Sequence, residues 1–319
     1  MTTLLTEAQL RARIDLDPAL IDVIADGFAR LARGGVVMPP VLSMHLPDVN
    51  GEVDVKTAYV PGFEGFAVKI SPGFFDNPGR GLPSTSGLMV VLDARTGRVR
   101  AVLMDNGYLT DLRTAAAGGV AARVLARPDA ARAAILGAGL QARMQLRALA
   151  MVRPLRQAVI WARDPARAQA LADEMTTPDL RVTATADPAE AVGAADIVVT
   201  TTPATRPVLR ADWLRAGQHV TAMGSDQPAK NELEPACIAR ADLYVADRAA
   251  QVRLMGEMRA AIAAGVHDGA DIPELGQIIA GQRPGRTHPD QVTICDLTGT
   301  GVQDTAIATH ALAAFSKEP

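Results

Sequence analysis

The chain has 319 residues, of which 48% are hydrophobic and 21% charged, and its formal net charge is −3. This is the composition of a globular protein, and its mild acidity gives no overall attraction for nucleic acid or for an anionic membrane. The sequence has no apolar run of about 18 residues and no signal-peptide layout, so we expect a cytoplasmic protein without a membrane span. Cys237, Cys295 and the histidines lack metal-ligand spacing, and we expect reduced core thiols and no metal site.

The first third of the chain is predicted to combine short helices with a β-rich segment. Thr6 opens a capping box at the start of one helix, and Asp17, followed by proline, begins a second helix that ends at Gly34. Between residues 36 and 105, short runs rich in β-formers are separated by proline and glycine clusters, which predicts a mainly antiparallel sheet. These runs are residues 53–55, 66–70, 88–92 and 99–103.

The middle of the chain alternates strands with helices. An alanine-rich helix is predicted from Thr110 to Arg127, where Pro128 ends it. From Ala131 onward, buried strand runs are followed by helical stretches, and this βαβ order predicts a parallel, doubly wound sheet. The strand runs are residues 133–136, 158–161, 197–200, 219–222 and 243–245.

A last strand (292–295) and a last helix (303–315) are expected to pack back on the first lobe. The sequence therefore predicts an α/β protein with two lobes. Residues 1–127 with 300–319 form the β-rich lobe, and residues 128–299 form a Rossmann-type lobe.

A dinucleotide-binding motif opens the second lobe. Gly137-x-Gly139-x-x-Ala142 directly follows a strand and begins a helix, as the phosphate-binding turn requires. The amino end of that helix offers N–H groups to a pyrophosphate. The next strand ends near Arg163 and Asp164, where an acid suits the ribose of NAD and an arginine suits the 2′-phosphate of NADP. We expect NAD and leave NADP open.

Five ordered motifs along the chain together resemble the ornithine cyclodeaminase/mu-crystallin family. They are Lys69 followed by Pro78-x-x-Gly81-Leu82-Pro83; Leu109-Thr110-x-Leu112-Arg113-Thr114-Ala115-Ala116; Gly137-x-Gly139-x-Gln141; Gly224-x-Asp226-x-Pro228-x-Lys230-x-Glu232-Leu233; and Asp296-Leu297-x-Gly299. The resemblance implies a Rossmann lobe, a second β-rich lobe for substrate binding and dimerisation, and a homodimer.

The same resemblance implies the roles of the site residues. Lys69 and Arg113 would hold a substrate carboxylate, which suits an arginine fork and a point charge, and Asp226 would be the acid/base beside the reacting carbon, with Lys69 also in the catalytic set. Taken singly, Lys69 can also be an outward strand residue and Asp226 a turn residue. The residues expected at the cofactor are Ser84, Thr114, Gly137, Ala138, Gly139, Leu140, Gln141, Arg163, Thr201 and Thr202. Lys230 with Glu232 is interpreted as a pair that orders its loop.

One departure from the family pattern bears on the substrate. Ornithine cyclodeaminases carry a glutamate thirteen residues before the Lys69 position, and this chain has Lys56 there. It also lacks the family's further carboxylate-binding arginine in residues 41–45, although His45 lies in that stretch. Lysine is scarce here, with 28 of the 32 basic residues being arginine, so its placement is informative. Exchanging an acid for Lys56 disfavours a diamino acid and favours a substrate with a second carboxylate.

Within the family, the segments around Lys56, Pro72 and Asp105 are most similar to iminosuccinate reductases and to cyclodeaminase-like proteins of ectoine utilisation. This resemblance implies reduction of a small dicarboxylic imino acid, iminosuccinate, to L-aspartate with NADH. Two alternatives stay open: a cyclodeaminase that releases ammonia from a diamino acid while recycling its NAD, and a crystallin-like protein that only binds cofactor and ligand.

Overall fold

The computed structural model describes residues 2–316. The chain divides into two compact units, one formed by the residues up to Arg113 together with those from Thr300 onward, and one formed by Thr114–Gly299. Compactness does not measure independent folding, so the domain limits at 127/128 and 299/300 stay a prediction. Among the described residues, no helix is long and apolar enough to cross a membrane.

The first unit is built on a six-stranded sheet in the order β1-β6-β5-β4-β3-β2. Its elements are β1 (Thr3–Thr6), α1 (Glu7–Arg11), α2 (Pro18–Arg33), β2 (Leu42–Leu46), β3 (Gly51–Thr57), β4 (Gly65–Phe74), β5 (Leu88–Asp93), β6 (Val99–Met104) and the start of α3 (Tyr108–Leu125). All strand pairs are antiparallel except β1 with β6, which confirms the mainly antiparallel sheet. The predicted capping box at Thr6 is present, and Gly34 ends α2 with a positive φ of 88°.

The second unit contains a seven-stranded parallel sheet in the order β12-β13-β11-β10-β7-β8-β9. Its elements are β7 (Arg132–Leu136), α4 (Leu140–Val152), β8 (Gln157–Trp161), α5 (Pro165–Met175), β9 (Arg181–Thr185), α6 (Pro188–Ala194), β10 (Ile197–Thr200), β11 (His219–Ala222), α7 (Pro235–Arg240), β12 (Leu243–Ala246), α8 (Ala249–Val252), α9 (Glu257–Ala263), α10 (Leu275–Ile279) and β13 (Thr293–Asp296). This confirms the Rossmann-type sheet. Because β8 and β10 flank β7 on opposite sides, the strand order reverses at β7, where such sheets bind ligands.

The last helix, α11 (Gly301–Ser316), belongs to the first unit and packs against β4 and α2, as predicted. The approach is close, because a Cβ at Gly301 would overlap the backbone of Thr57. Most of α11 is buried, including three consecutive polar residues, Gln303, Asp304 and Thr305. It therefore brings a distant part of the sequence onto the strands that carry the predicted substrate residues.

Candidate active site

Four charged side chains meet in the interior of the first unit. Lys56 and Lys69 are direct partners across the β3–β4 ladder, so their side chains share one face of the sheet. They are 7% and 2% exposed, and Arg113, from the first turns of α3, is 6% exposed. Asp304 of α11 joins them: its Oδ1 accepts hydrogen bonds from Lys69 Nζ at 3.1 Å and from Arg113 Nε at 3.0 Å. The structure therefore brings together the three cations that the sequence predicted.

This cluster is positively charged overall. With Lys69 protonated, three cations lie around the carboxylate of Asp304, which Lys69 and Arg113 contact directly. Burial lowers the pKa of Lys69 to about 7, with Arg113 and Lys56 acting in the same direction and Asp304 opposing them. Burial opposes ionisation of Asp304, but Lys69 and Arg113 nevertheless keep its pKa below the usual value. A buried site with excess positive charge is suited to an anionic ligand.

Asp304 and its neighbour Gln303 were not among the site residues predicted from the sequence. Gln303 Oε1 accepts a hydrogen bond from Arg113 Nη1 at 2.9 Å, so adjacent residues of α11 bind two nitrogens of the same guanidinium. Its Nε2 is buried and has no hydrogen-bond partner among residues 2–316. Consecutive polar residues near the start of a helix rich in alanine and other apolar residues were the available signal, because buried polar groups require partners.

A second buried carboxylate, Asp105, lies near the cluster. It accepts a hydrogen bond from Leu109 N in the first turn of α3. Burial raises the pKa of Asp105 to about 6, while the charge of Lys69 lowers it. Asp105 therefore acts on the cations at longer range than Asp304 does.

In the second unit, the loop after β7 has the geometry of a dinucleotide-binding turn. Gly137 has a φ of 135°, and a Cβ there would overlap the side chain of Thr201, so only glycine fits. Gly139 is the N-cap of α4 without a side-chain cap, and a Cβ there would enter open space. Ala142 is buried where α4 packs on the sheet. These residues fit a pyrophosphate: the backbone can approach it, and the amino end of α4 can receive its charge.

The other residues predicted at the cofactor lie in several places. Ala138, Leu140 and Gln141 belong to the same turn, and Leu140 is exposed. Thr201 and Thr202 follow β10, beside that turn in the sheet order. Thr114, in α3, accepts a hydrogen bond from Gln145 through its carbonyl oxygen. Ser84 belongs to the first unit, on the segment between β4 and β5. Their contacts with a cofactor stay predictions.

Asp164 and Arg163, at the end of β8, differ in what they contact. The Asp164 carboxylate is the N-cap of α5 and accepts hydrogen bonds from the backbone N–H groups of Ala166 and Arg167. The Arg163 side chain is exposed. The acid that could read a ribose is therefore engaged in capping a helix, whereas the arginine is at the surface.

Asp226 lies on the loop after β11, at the carboxyl edge of the parallel sheet, as predicted. Its Oδ1 accepts a hydrogen bond from Lys230 Nζ at 2.6 Å, and 46% of its side chain is exposed. The predicted pairing of Lys230 with Glu232 is wrong, because Lys230 reaches Asp226 four residues earlier. Glu232 instead accepts hydrogen bonds from backbone N–H groups and threonine hydroxyls of its own unit.

Glu232 joins the ends of two neighbouring strands. One carboxylate oxygen accepts from Thr202 N and Thr202 Oγ1 at 2.5 and 2.7 Å. The other accepts from Thr200 Oγ1 at 2.7 Å and from Gly224 N at 2.6 Å. The loop that carries Asp226 is thereby fixed to the threonine segment after β10. Burial and the neighbouring Glu257 raise the pKa of Glu232 to about 7.

His45 does not belong to the cation cluster. It lies on β2 and pairs with Glu52 across the β2–β3 ladder. Glu52 is four residues from Lys56 along β3, a distance of about 13 Å in an extended strand. The side chain of His45 is exposed, so it does not extend the buried site.

Comparisons with known proteins agree with this architecture. The model of the ornithine cyclodeaminase/mu-crystallin family matches residues 1–316. An uncharacterized cyclodeaminase of Sinorhizobium fredii is 59% identical over 311 residues, covering 97% of this chain and 94% of that protein. The iminosuccinate reductase of Paracoccus denitrificans is 35% identical over 295 residues, covering 91% and 89%. The expected similarity to iminosuccinate reductases is thus present, but the uncharacterized cyclodeaminase has the higher sequence identity.

Two solved structures superpose on nearly the whole chain. The Thermococcus litoralis Δ1-pyrroline-2-carboxylate reductase in complex with NADH and L-proline has a TM-score of 0.93 at 28% identity, covering 99% of this chain and 98% of that one. An archaeal alanine dehydrogenase dimer with bound NAD has a TM-score of 0.92 at 31% identity, covering 99% and 97%. The first is a reductase with bound NADH, and the second is a dehydrogenase with bound NAD. The chain therefore belongs to the ornithine cyclodeaminase/mu-crystallin family, whose members include NAD-dependent amino acid dehydrogenases and imine reductases.

Proposed function

We propose that this protein is an NADH-dependent imine reductase for a small dicarboxylic imino acid, with iminosuccinate reduced to L-aspartate. The observation that carries the proposal is the burial of three cations, Lys56, Lys69 and Arg113, on one face of the first unit, with Lys69 and Arg113 held by Asp304. The two carboxylates of a dianion would be attracted by this concentration of positive charge. A diamino acid would instead place an ammonium group among buried cations, which is unfavourable at low dielectric.

The geometry supports separate roles for the three cations. Arg113 has five N–H donors, and Asp304 and Gln303 accept from Nε and Nη1, so donors on Nη2 remain for a carboxylate. Lys69 has three donors and bonds Asp304. We assign Arg113 and Lys69 to the carboxylate beside the C=N carbon. Lys56, on the neighbouring strand, would bind the distal carboxylate.

The overall reaction is iminosuccinate plus NADH plus a proton giving aspartate and NAD⁺. The turn at Gly137 and Gly139 would hold the pyrophosphate of NADH, which would supply the hydride for the imine carbon. One proton must also be supplied, and the family resemblance assigns this step to Asp226. Support for that role comes from the position of Asp226 after β11, at the edge of the sheet where α/β proteins bind ligands.

The decisive experiment is NADH oxidation by the purified protein with iminosuccinate generated from oxaloacetate and ammonia. Pyruvate with ammonia serves as the monocarboxylic control, and ammonia release from ornithine tests the cyclodeaminase alternative. We expect kcat/KM for the dicarboxylic imine to exceed that for the monocarboxylic imine by at least about 100-fold, since one buried ion pair separates the two substrates. Equal rates with both imines, or ammonia release from ornithine alone, would refute the proposal. NADH binding without turnover of any imine would favour a binding protein.

A homodimer is also proposed. The related archaeal alanine dehydrogenase is a dimer. In this chain β2 is an edge strand whose side chains are mostly exposed, with Leu42 57% and Met44 49% accessible. An unpaired edge with apolar side chains is a common contact surface. Light scattering after size exclusion should give the mass of two chains, and charged replacements of Leu42 and Met44 should shift it to one; a monomeric wild type would contradict this.

A further inference from the structure

We infer that Asp304 is a positioning residue of the anion site: it fixes Lys69 and Arg113 in one arrangement and keeps Lys69 in its cationic form. The inference rests on the proposed function and adds a residue that the predicted site did not contain. Asp304 is fully buried on α11, among residues that are otherwise mostly apolar. A carboxylate in such a place is unfavourable unless cations pair with it, so its presence calls for an explanation beyond packing.

The geometry gives the first half of the explanation. One oxygen of Asp304 accepts from Lys69 Nζ and from Arg113 Nε, at 3.1 and 3.0 Å. Two donors that share one acceptor are held at a fixed separation from each other. Gln303, the preceding residue, accepts from Arg113 Nη1 at 2.9 Å. The guanidinium plane is thereby set by two adjacent residues of one helix, which leaves its Nη2 side for a substrate carboxylate.

Electrostatics gives the second half. Lys69 is surrounded by Asp304, by the cations Arg113 and Lys56, and at longer range by Asp105. Burial and the two cations all lower the pKa of Lys69, and Asp304 is the group in contact that raises it. Without the Asp304 charge, Lys69 would lose its proton at a lower pH. The pH above which the site loses its affinity for an anion should therefore depend on Asp304.

The test compares wild type with Asp304→Asn, using succinate as an unreactive dicarboxylate and calorimetry on the NAD⁺-loaded protein across roughly pH 5–9. In the wild type, succinate affinity should fall as pH rises through about 7, because Lys69 is protonated below that pH and neutral above it. In Asp304→Asn this midpoint should move down by at least about one pH unit, and affinity at pH 7.5 should fall about tenfold. Wild-type protein that binds no succinate at any pH would refute the proposed function. Succinate binding with an unchanged midpoint in the variant would overturn only the role of Asp304.

The protonation state of Lys69 can also be measured directly, because the sequence contains four lysines. Selective ¹³C labelling of lysine should resolve the Lys69 side chain by NMR, with Lys69→Arg providing the assignment. The Lys69 titration midpoint should be lower in Asp304→Asn than in the wild type. A midpoint that does not move would show that Asp304 is only a structural ion-pair partner.

Two further variants separate positioning from stability. Asp196→Asn is the matched control, because Asp196 is a buried carboxylate that pairs with Arg127 and Arg132 in the other unit. It should lower the melting temperature without moving the succinate midpoint. Asp304→Glu keeps the charge but displaces it, so its midpoint should stay near that of the wild type while kcat falls. If Asp304→Asn does not fold, Asp304→Glu is the deciding variant. A kcat equal to that of the wild type would overturn the geometric role of Asp304. A lowered pH midpoint for succinate binding would overturn its electrostatic role.

Discussion

Lys56 lies directly opposite Lys69 across the β3–β4 ladder, and both side chains are buried. Like charges at directly opposed positions of a sheet destabilise it, and burial adds to the penalty. Such a pair is retained where an anion compensates it. Asp304 compensates part of the charge in the protein itself, and a dicarboxylate substrate is proposed to compensate the rest.

Reversing the charge at Lys56 should affect binding of the distal carboxylate of the substrate but not of the carboxylate beside the C=N carbon. We expect Lys56→Glu to lower kcat/KM for iminosuccinate by at least about 100-fold, because a contact between unit charges at roughly 4 Å contributes about 4 kcal/mol at an effective dielectric of about 20, and the substitution turns this attraction into repulsion. The NADH dissociation constant should not change. Arg98→Glu, the same charge change in the exposed β5–β6 turn, is the control in steady-state kinetics. An equal loss with the pyruvate imine would show that Lys56 does not recognise the distal group.

The two glycines of the dinucleotide turn should respond differently to alanine. Gly137→Ala should weaken NADH binding and lower the melting temperature, because its φ is positive and a Cβ would overlap Thr201. Gly139→Ala should leave the melting temperature unchanged, since a Cβ there meets nothing within 4 Å, yet raise the NADH dissociation constant at least about tenfold by occupying the space for the pyrophosphate. Fluorescence titration and thermal denaturation measure both effects. Gly193→Ala, on α6 and equally open, is the control, and normal NADH affinity in Gly139→Ala would contradict the assignment.

Glu232 is expected to support catalysis by joining two strand ends. In Glu232→Gln, an amide nitrogen must face either Thr202 or the Thr200–Gly224 pair, so the backbone N–H on that side loses its acceptor, while the threonine hydroxyl can rotate to accept from the amide. The free energy of unfolding should fall by about 1–3 kcal/mol, as measured by urea denaturation. kcat should fall more than KM rises, because the Asp226 loop is loosened. Glu234→Gln, whose carboxylate accepts from Ala211 N, is the control; an unchanged kcat in folded Glu232→Gln would contradict a supporting role.

Arg163 should determine the affinity of the protein for the 2′-phosphate of NADPH. Asp164 caps α5, so Arg163 is the residue at the end of β8 that is placed to meet this group. Arg163→Ala should raise the NADPH dissociation constant about 5- to 30-fold and leave that of NADH unchanged. Arg156→Ala, at the opposite end of β8 and also exposed, is the control. If the variant weakens both cofactors equally, Arg163 does not read the phosphate.

The sequence by itself determined the elements whose information is local. The Rossmann lobe followed from alternating strand and helix patterns, and the cap at Thr6 and the turn at Gly137 from their residue types. Three strands were missed, β1, β2 and β9, and all three are edge strands. Edge strands leave side chains exposed and therefore carry a weak apolar pattern.

Only the tertiary structure decided how the candidate site is assembled. Asp304 reaches Lys69 across 235 residues of sequence, and the β3–β4 register decides that Lys56 faces Lys69. Lys230 pairs with Asp226 and Asp164 caps a helix, choices that residue type alone left open. The physical reason is that caps and turns depend on a few neighbouring residues, whereas the partner of a buried charge is set by the packing of a whole unit.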